Sequence, residues 1–297
     1  TVRQSVPSGF TLTSPIGFTL EANELAAGDL PTGVTTGDLD GDGDLDIVAG
    51  NSGTDSLSVF LNDGSGTFQR VADLSAGFGP ADVVLEDLDG DLDLDLAASN
   101  VDQRSISVLL NDGSGTFTFA GFFSVGESPF SLVAGDFDGD LDIDLATANE
   151  FSNSVSILLN DGTGDFSSRQ DVTTGAIPEG IVAADFDGDN DLDLATSNFG
   201  GKNVSILINN GSGTFLNVGN VAAGNGPFKL AAADFDSDND MDLAVTDIVD
   251  DVTRVLFNDG SAGFVSSSSF AVASGPAAIT VVDVDGDTNP DLAITSG

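Results

Sequence analysis

Four residue types are missing from this 297-residue chain, His, Cys, Trp and Tyr, and Lys and Arg together number only 7. Each absence excludes something. Without His or Cys there is no zinc, copper, haem or iron–sulfur site of the usual kind, and no imidazole or thiol catalysis. Without Trp or Tyr the usual stacking platforms of a sugar site are missing. The 7 basic residues face 49 acidic ones, for a formal net charge of -42, so the surface repels nucleic-acid phosphates instead of displacing their counterions. No apolar run approaches the roughly 18 residues that a membrane helix needs, so a soluble chain without membrane insertion is expected. The lack of disulfides says little, because many exported proteins rely on metals or packing. A start at Thr1 in place of Met is the expectation for a processed or trimmed terminus.

Hydrophobic residues make up 40% of the chain, enough to bury a core, which argues against a disordered acidic tail. The dominant feature is a repeat. Asp-x-Asp-x-Asp patterns begin at Asp38, Asp87, Asp136, Asp185, Asp234 and Asp283, always 49 residues apart, and a proline precedes each by seven positions, from Pro31 to Pro276. Within the period that opens at Pro129, an apolar run leads to an acidic loop at Asp136 to Asp144, and Leu145 to Asn149 follows it. Next come Ser154 to Asn160, with Ser alternating against Val and Ile, an Asn-Asp-Gly-Thr-Gly turn, and a segment opened by Phe166. The alternation and the turn chemistry predict antiparallel hairpins, and no segment carries a helical apolar stripe. Four short strands repeated at this length indicate a propeller blade.

The fold class expected is therefore all-β: a six-bladed β-propeller of 49-residue four-stranded blades. The last repeat stops at Gly297 after two strands, while residues 9–28 carry Phe10, Leu12, Phe18 and Leu20 around a short Ser-Pro-Ile-Gly turn. Strands from 9–28 are expected to complete the blade begun at 276–297 and close the ring without a free edge, or else to pair with a neighbouring molecule. The domain expectation is an arm at 1–8 followed by one propeller at 9–297. The arm, with Val2, Arg3 and Val6, is either a frayed terminus or a strand donated to a neighbouring propeller.

Each acidic loop offers carboxylates at positions 1, 3, 5 and 9 and a backbone carbonyl at position 7. In the first loop these are Asp38, Asp40, Asp42 and Asp46, with the carbonyl of Asp44. The second has Asp87, Asp89, Asp91 and Asp95, with Asp93 at position 7; the third has Asp136, Asp138, Asp140 and Asp144, with Asp142. The fourth has Asp185, Asp187, Asp189 and Asp193, with Asp191, and the fifth Asp234, Asp236, Asp238 and Asp242, with Asp240. The sixth has Asp283, Asp285, Asp287 and Asp291, with Asn289 at position 7. So many negative charges in nine residues repel one another unless a cation sits among them. Calcium, which takes six to eight hard oxygen ligands in flexible geometry, is the expected occupant, about six ions in all, one per blade.

The motif Gly-Asp-Leu-Asp-Gly-Asp-Gly-Asp-Leu-Asp-Ile at Gly37 to Ile47, with Ser-Val-Phe-Leu-Asn-Asp-Gly-Ser-Gly-Thr-Phe at Ser58 to Phe68, resembles the FG-GAP/VCBS repeats of integrin α-chain propellers and of many secreted bacterial proteins. The resemblance covers nearly the whole chain. It implies a propeller in which each loop joins the first two strands of its blade and holds one calcium ion. Where that pattern usually has Gly at position 6, this chain has Leu92, Leu141, Asn190, Asn239 and Thr288, and Ser237 replaces Gly at position 4 of the fifth loop. Side chains there disfavour a positive φ, so these loops are expected to turn differently or bind more weakly.

Of the remaining residues, Phe137, Phe186, Phe235, Leu39, Leu88 and Val284 at loop position 2 are expected to pack between blades. Phe78, Phe130 and Phe228 beside the prolines are candidates for a contact face. Catalysis is not expected: no Ser has a His partner, Lys202 and Lys229 are the only lysines, and the clustered Asp are committed to the loops. The function read from the sequence is a secreted, extracellular or cell-surface, non-catalytic calcium-binding module, assembling with itself into a filament or matrix through its N-terminal strand, or engaging other extracellular proteins or glycans. The alternatives are a lectin-like or cell-adhesion propeller and an accessory domain of a larger exoenzyme.

Overall fold

The structure, a computed structural model, describes residues 25–264 and 266–297, and among them every regular element is a strand. Each repeat opens on a proline, which has no N–H for a central ladder and so belongs at a strand start beside a bulge. Six first strands begin there: β1 (Pro31–Gly37), β5 (Pro80–Glu86), β9 (Pro129–Gly135), β13 (Pro178–Ala184), β17 (Pro227–Ala233) and β21 (Pro276–Val282). In all six the pairing register shifts just after the proline.

The second strands follow the acidic loops: β2 (Asp46–Asn51), β6 (Asp95–Asn100), β10 (Asp144–Asn149), β14 (Asp193–Asn198), β18 (Asp242–Asp247) and β22 (Asp291–Ser296). The third strands are β3 (Ser56–Asn62), β7 (Ser105–Asn111), β11 (Ser154–Leu159), β15 (Asn203–Asn209) and β19 (Val252–Phe257). The fourth are β4 (Phe68–Ser75), β8 (Phe117–Ser124), β12 (Ser168–Thr173), β16 (Phe215–Ala222) and β20 (Ser266–Ala271). Each of the first five repeats is one antiparallel sheet with its strands side by side in chain order, and β21–β22 form a two-stranded sixth. Phe166, expected to open a fourth strand, lies in the turn just before β12, and its counterpart Phe264 lies just before β20.

The sheets stack face to face around their first strands: β1 packs on β5, β5 on β9, β9 on β13, β13 on β17 and β17 on β21. Both faces of the inner second strands are therefore covered, and β6, β10, β14 and β18 are buried along their whole length. Small residues such as Ala97, Ala98, Ala146, Ala148 and Ala195 there let neighbouring sheets come close. The core is accordingly a series of inter-sheet layers. Leu39, Val48 and Leu57 of the first repeat meet Val83, Leu96 and Leu109 of the second, and Phe137, Ile157 and Val172 of the third meet Ile181, Leu194 and Phe215 of the fourth.

Of the loop position-2 residues, Leu39, Leu88, Phe137 and Phe186 fill these layers as expected, with edge-to-face pairs Phe137–Phe215 at 5.5 Å and Phe186–Phe264 at 5.8 Å between ring centroids, whereas Phe235 is half-buried and Val284, on the last loop, is exposed. The ends of the stack differ. Val34 on β1 is 70% exposed, whereas its counterpart Val83 is 4% exposed and lies against Gly50 of the first sheet. Leu30 and Leu45 are likewise exposed, and β22 loses the full burial of its counterparts. No comparable packing joins β21 to β1 among the described residues, so the described sheets leave one flank of β1 and one of β21–β22 without a neighbouring sheet. The expected closing strands at 9–28 fall, apart from 25–28, outside the described residues, as does the arm at 1–8.

Candidate metal centres

Each acidic loop is built from nested side-chain turns. The position-1 carboxylate accepts the position-4 N–H on one oxygen and the position-6 N–H on the other. In the first loop these are Gly41 N to Asp38 Oδ1, 2.9 Å, and Gly43 N to Asp38 Oδ2, 3.0 Å. In the second they are Gly90 N to Asp87 Oδ1, 2.8 Å, and Leu92 N to Asp87 Oδ2, 3.0 Å. The position-5 carboxylate accepts the position-7 N–H, as Asp44 N to Asp42 at 2.9 Å and Asp142 N to Asp140 at 3.0 Å. Aspartate supplies this local acceptor while leaving further oxygen lone pairs free.

Position 6 requires a left-handed backbone so that its N–H can reach back to position 1. Gly43 has φ 90°, and the five departures keep the same turn: Leu92 at 77°, Leu141 at 78°, Asn190 and Asn239 at 74°, and Thr288 at 70°. Ser237 likewise holds φ 67° at position 4. The expectation that these loops turn differently is thus wrong. The two bonds to the position-1 carboxylate hold the backbone against the side chain's preference, a cost of about 1–2 kcal/mol for a non-glycine residue.

Position 9 joins the loop to the sheet. In the first five loops Asp46, Asp95, Asp144, Asp193 and Asp242 are fully buried. One oxygen accepts the position-2 N–H, as Leu88 N to Asp95 Oδ2 at 2.9 Å. The other accepts the N–H of the asparagine that follows or ends the third strand, as Asn111 N to Asp95 Oδ1 at 2.7 Å and Asn160 N to Asp144 Oδ1 at 2.7 Å. Burial pushes the carboxyl of Asp95 up to about 6, Asp144 to about 7 and Asp193 to about 6, against these hydrogen bonds and with help from the loop's other aspartates. Burial, then repulsion from the position-5 carboxylate, also raises Asp89, Asp138 and Asp187 at position 3.

The carboxylates expected to act together converge in part. One oxygen from each of positions 1, 3 and 9 lies within 4.8 Å of the others for Asp87, Asp89, Asp95; for Asp136, Asp138, Asp144; for Asp185, Asp187, Asp193; and for Asp234, Asp236, Asp242. In the first loop the group is Asp38, Asp40 and Asp42. The position-7 side chains turn away: carboxylates of Asp44, Asp93, Asp142, Asp191 and Asp240 lie where a Cβ would stand on Gly64, Gly113, Gly162, Gly211 and Gly260. Asp138 Oδ1 is buried without a hydrogen-bond partner. An all-oxygen donor set, buried carboxylates raised by their surroundings and an orphaned buried oxygen fit a hard divalent cation.

Two groups of residues escaped the sequence reading. The first is the asparagine column Asn111, Asn160, Asn209 and Asn258, whose Nδ2 reaches the preceding repeat's loop, as Asn160 Nδ2 to Leu88 O at 2.8 Å. The Asn-Asp-Gly turn drew attention only as a hairpin signal. The second lies where the first strands converge. Lys229 on β17 donates to Ser131 Oγ on β9 at 3.2 Å, Ser131 Oγ donates to Asp82 at 3.0 Å, and the ammonium sits 5.0 Å from the Phe130 ring and 5.9 Å from that of Phe228. Burial lowers the pKa of Lys229, with Asp82 and Glu179 opposing, and burial beside Glu150 raises Glu179 to about 7. Phe130 and Phe228 thus serve this cluster, while Phe78 is exposed.

A sequence profile described as FG-GAP-like repeat matches residues 38–98, 87–147, 136–196 and 194–245. Comparison with curated proteins gave no match in sequence. Among solved structures the chain is similar to BBS1N in its complex with ARL6DN, at TM-score 0.64 and 14% identity over 88% of this chain and 75% of that one. It is similar to a putative 6-phosphogluconolactonase from Bacteroides uniformis, at TM-score 0.65 and 15% identity over 82% and 71%. It also resembles an Agrocybe aegerita lectin that recognises non-reducing terminal N-acetylglucosamine, at TM-score 0.57 and 19% identity over 87% and 73%. At these identities the likeness concerns the propeller fold alone.

Two outcomes are expected. Leu92→Gly relieves the left-handed strain at a side chain that is 88% exposed, so thermal unfolding is expected to show a gain of about 0.5–1 kcal/mol after allowing for glycine's entropy; a loss contradicts the strain. In metal-stripped protein, carboxyls titrating at about 6 to 7 when folded, against 3.8 otherwise, bind protons that the unfolded chain releases. Their contribution is complete below 3.8 and is lost as pH rises through the folded values, so the melting temperature is expected to fall between about pH 5 and pH 8. A melting temperature that rises over that range contradicts the buried-carboxylate assignment.

Proposed function

The chain belongs to the FG-GAP-like repeat family, and from that premise we propose that it is a non-catalytic, calcium-loaded propeller module of the extracellular space or cell surface. The observation that carries the reading is the recurrent loop with position-1, -3 and -9 carboxylates drawn together over a fully buried position-9 aspartate. Asp38, Asp40, Asp42 and Asp46 and their counterparts in the other five loops, with the position-7 carbonyls, would hold the ions. A bound divalent cation supplies the positive charge that lets these carboxylates stay ionised in the interior. The absence of His and Cys favours a hard, oxygen-seeking ion over a transition metal.

Calcium here is structural. A site held at 100 times its dissociation constant stabilises the folded chain by about 2.7 kcal/mol, so about six such sites together match or exceed the about 5–15 kcal/mol of a typical domain. The Lys229 cluster fits the same non-catalytic reading, because its ammonium is engaged by Ser131, two rings and two carboxylates. We assign self-assembly to the N-terminal strands. In support, the flank of β1 exposes Leu30, Val34 and Leu45, and an uncovered sheet face of this kind recruits an extended segment or a neighbouring copy. Ring closure as a sixth complete blade by residues 9–28, in cis or in trans, belongs to the same proposal.

Two measurements test this. Thermal unfolding with calcium is expected to occur well above that of chelator-treated protein; identical melts reject structural calcium. Electron microscopy of the chain with calcium is expected to show polymers that disperse on deletion of residues 1–8. Unchanged polymers reject the arm's role, and dispersed full-length protein that binds a glycan array favours the carbohydrate-binding alternative.

A further inference from the structure

At four of the five turns that follow a third strand, the first asparagine touches two loops at once. Its Nδ2 donates to the position-2 carbonyl of the preceding repeat's loop: Asn111 to Leu39 O at 2.9 Å, Asn160 to Leu88 O at 2.8 Å, Asn209 to Phe137 O at 2.7 Å and Asn258 to Phe186 O at 2.8 Å. The same nitrogen donates to the position-8 carbonyl of its own loop, at Leu94, Ile143, Leu192 and Met241, over 3.0–3.1 Å. Its backbone N–H bonds the position-9 carboxylate of that loop. A planar amide has two hydrogens on one nitrogen, and here both are committed, one to each loop.

The carbonyls it holds are flanked by the candidate ligands. Position 2 lies between positions 1 and 3, and position 8 immediately precedes position 9. All four asparagines are buried, so neither carbonyl can be released without leaving the amide unsatisfied. A change in backbone position at one loop is therefore passed to the next through a group that cannot relax. Two of the bridges are doubled by backbone bonds to the same carbonyls, Gly213 N to Phe137 O at 2.9 Å and Ala262 N to Phe186 O at 2.8 Å.

The ends of the run supply an internal contrast. Asn62 bonds its own loop at Leu45 O, 3.2 Å, and holds no carbonyl of a preceding loop among its bonds. The sixth repeat ends, among the described residues, after β22, without the third strand whose asparagine would reach the Phe235 carbonyl. Among the described residues four bridges thus link loops one to five in a line, and none reaches the sixth.

We propose that Asn111, Asn160, Asn209 and Asn258 are positioning residues that couple the first five metal loops into one cooperative set and leave the sixth independent. The proposal rests on the calcium reading above. Ordering one loop places the shared amide, so the next ion meets a loop whose freedom is already reduced.

The test is a calorimetric titration of the metal-stripped full chain with calcium chloride. The wild type is expected to bind with a Hill coefficient of about 2. Asn160→Ala is expected to bind the same number of ions with a coefficient nearer 1, because the run of five is cut into shorter runs. Equal steepness in the two proteins overturns the coupling, whereas no binding by the wild type overturns the calcium reading itself. A second comparison needs no change to a bridge and serves if Asn160→Ala does not fold. Asp138→Asn, which disables the third loop, is expected to weaken the remaining sites about fivefold, while Asp285→Asn, in the sixth loop, removes one ion and leaves the others' affinity unchanged. Equal effects from the two loop variants overturn the proposal.

Discussion

The rest of the structure depends on the buried aspartate at loop position 9. It begins the second strand, accepts the N–H of position 2 on one oxygen and an N–H from the end of the third strand on the other, and so ties loop, inner hairpin and outer hairpin together. Neutral asparagine could not accept on two oxygens. The same residue is an electrostatic burden, since burial disfavours its ionised form and raises Asp95, Asp144 and Asp193. A cation at the loop would resolve that conflict, and the proposed metal site would then be part of the folding problem.

Loop and core are also inseparable through position 2. Its N–H anchors to position 9, its carbonyl is held by the following repeat's asparagine, and its side chain fills the inter-sheet layer, as Phe137 does against Phe215. Between two candidate ligands there is thus an apolar residue that fixes the loop's depth in the stack. Small second-strand residues such as Ala146 and Ala148 let the layers close around it.

Much of this was legible in the residues. The 49-residue period, the hairpins and the loop register follow from local chemistry: Asn-Asp-Gly turns, Ser alternating with Val and Ile, and prolines at strand starts. The position-6 substitutions were misread because the side chain's preference was weighed without the two hydrogen bonds that Asp87 or Asp136 accepts from positions 4 and 6. Those bonds outweigh about 1–2 kcal/mol of strain.

Sequence alone determined the repeat, the sheet type and the identity of the acidic positions, because each is written within a few residues of itself. Only the tertiary structure decided which oxygens converge, that position-7 side chains turn away, that an asparagine reaches a carbonyl 72 residues earlier, and that Lys229 reaches Ser131 from 98 residues away. It also decided that the described sheets leave a flank of β1 uncovered. Such contacts arise from how neighbouring sheets stack, and no local pattern encodes which atom of one repeat will face which atom of the next.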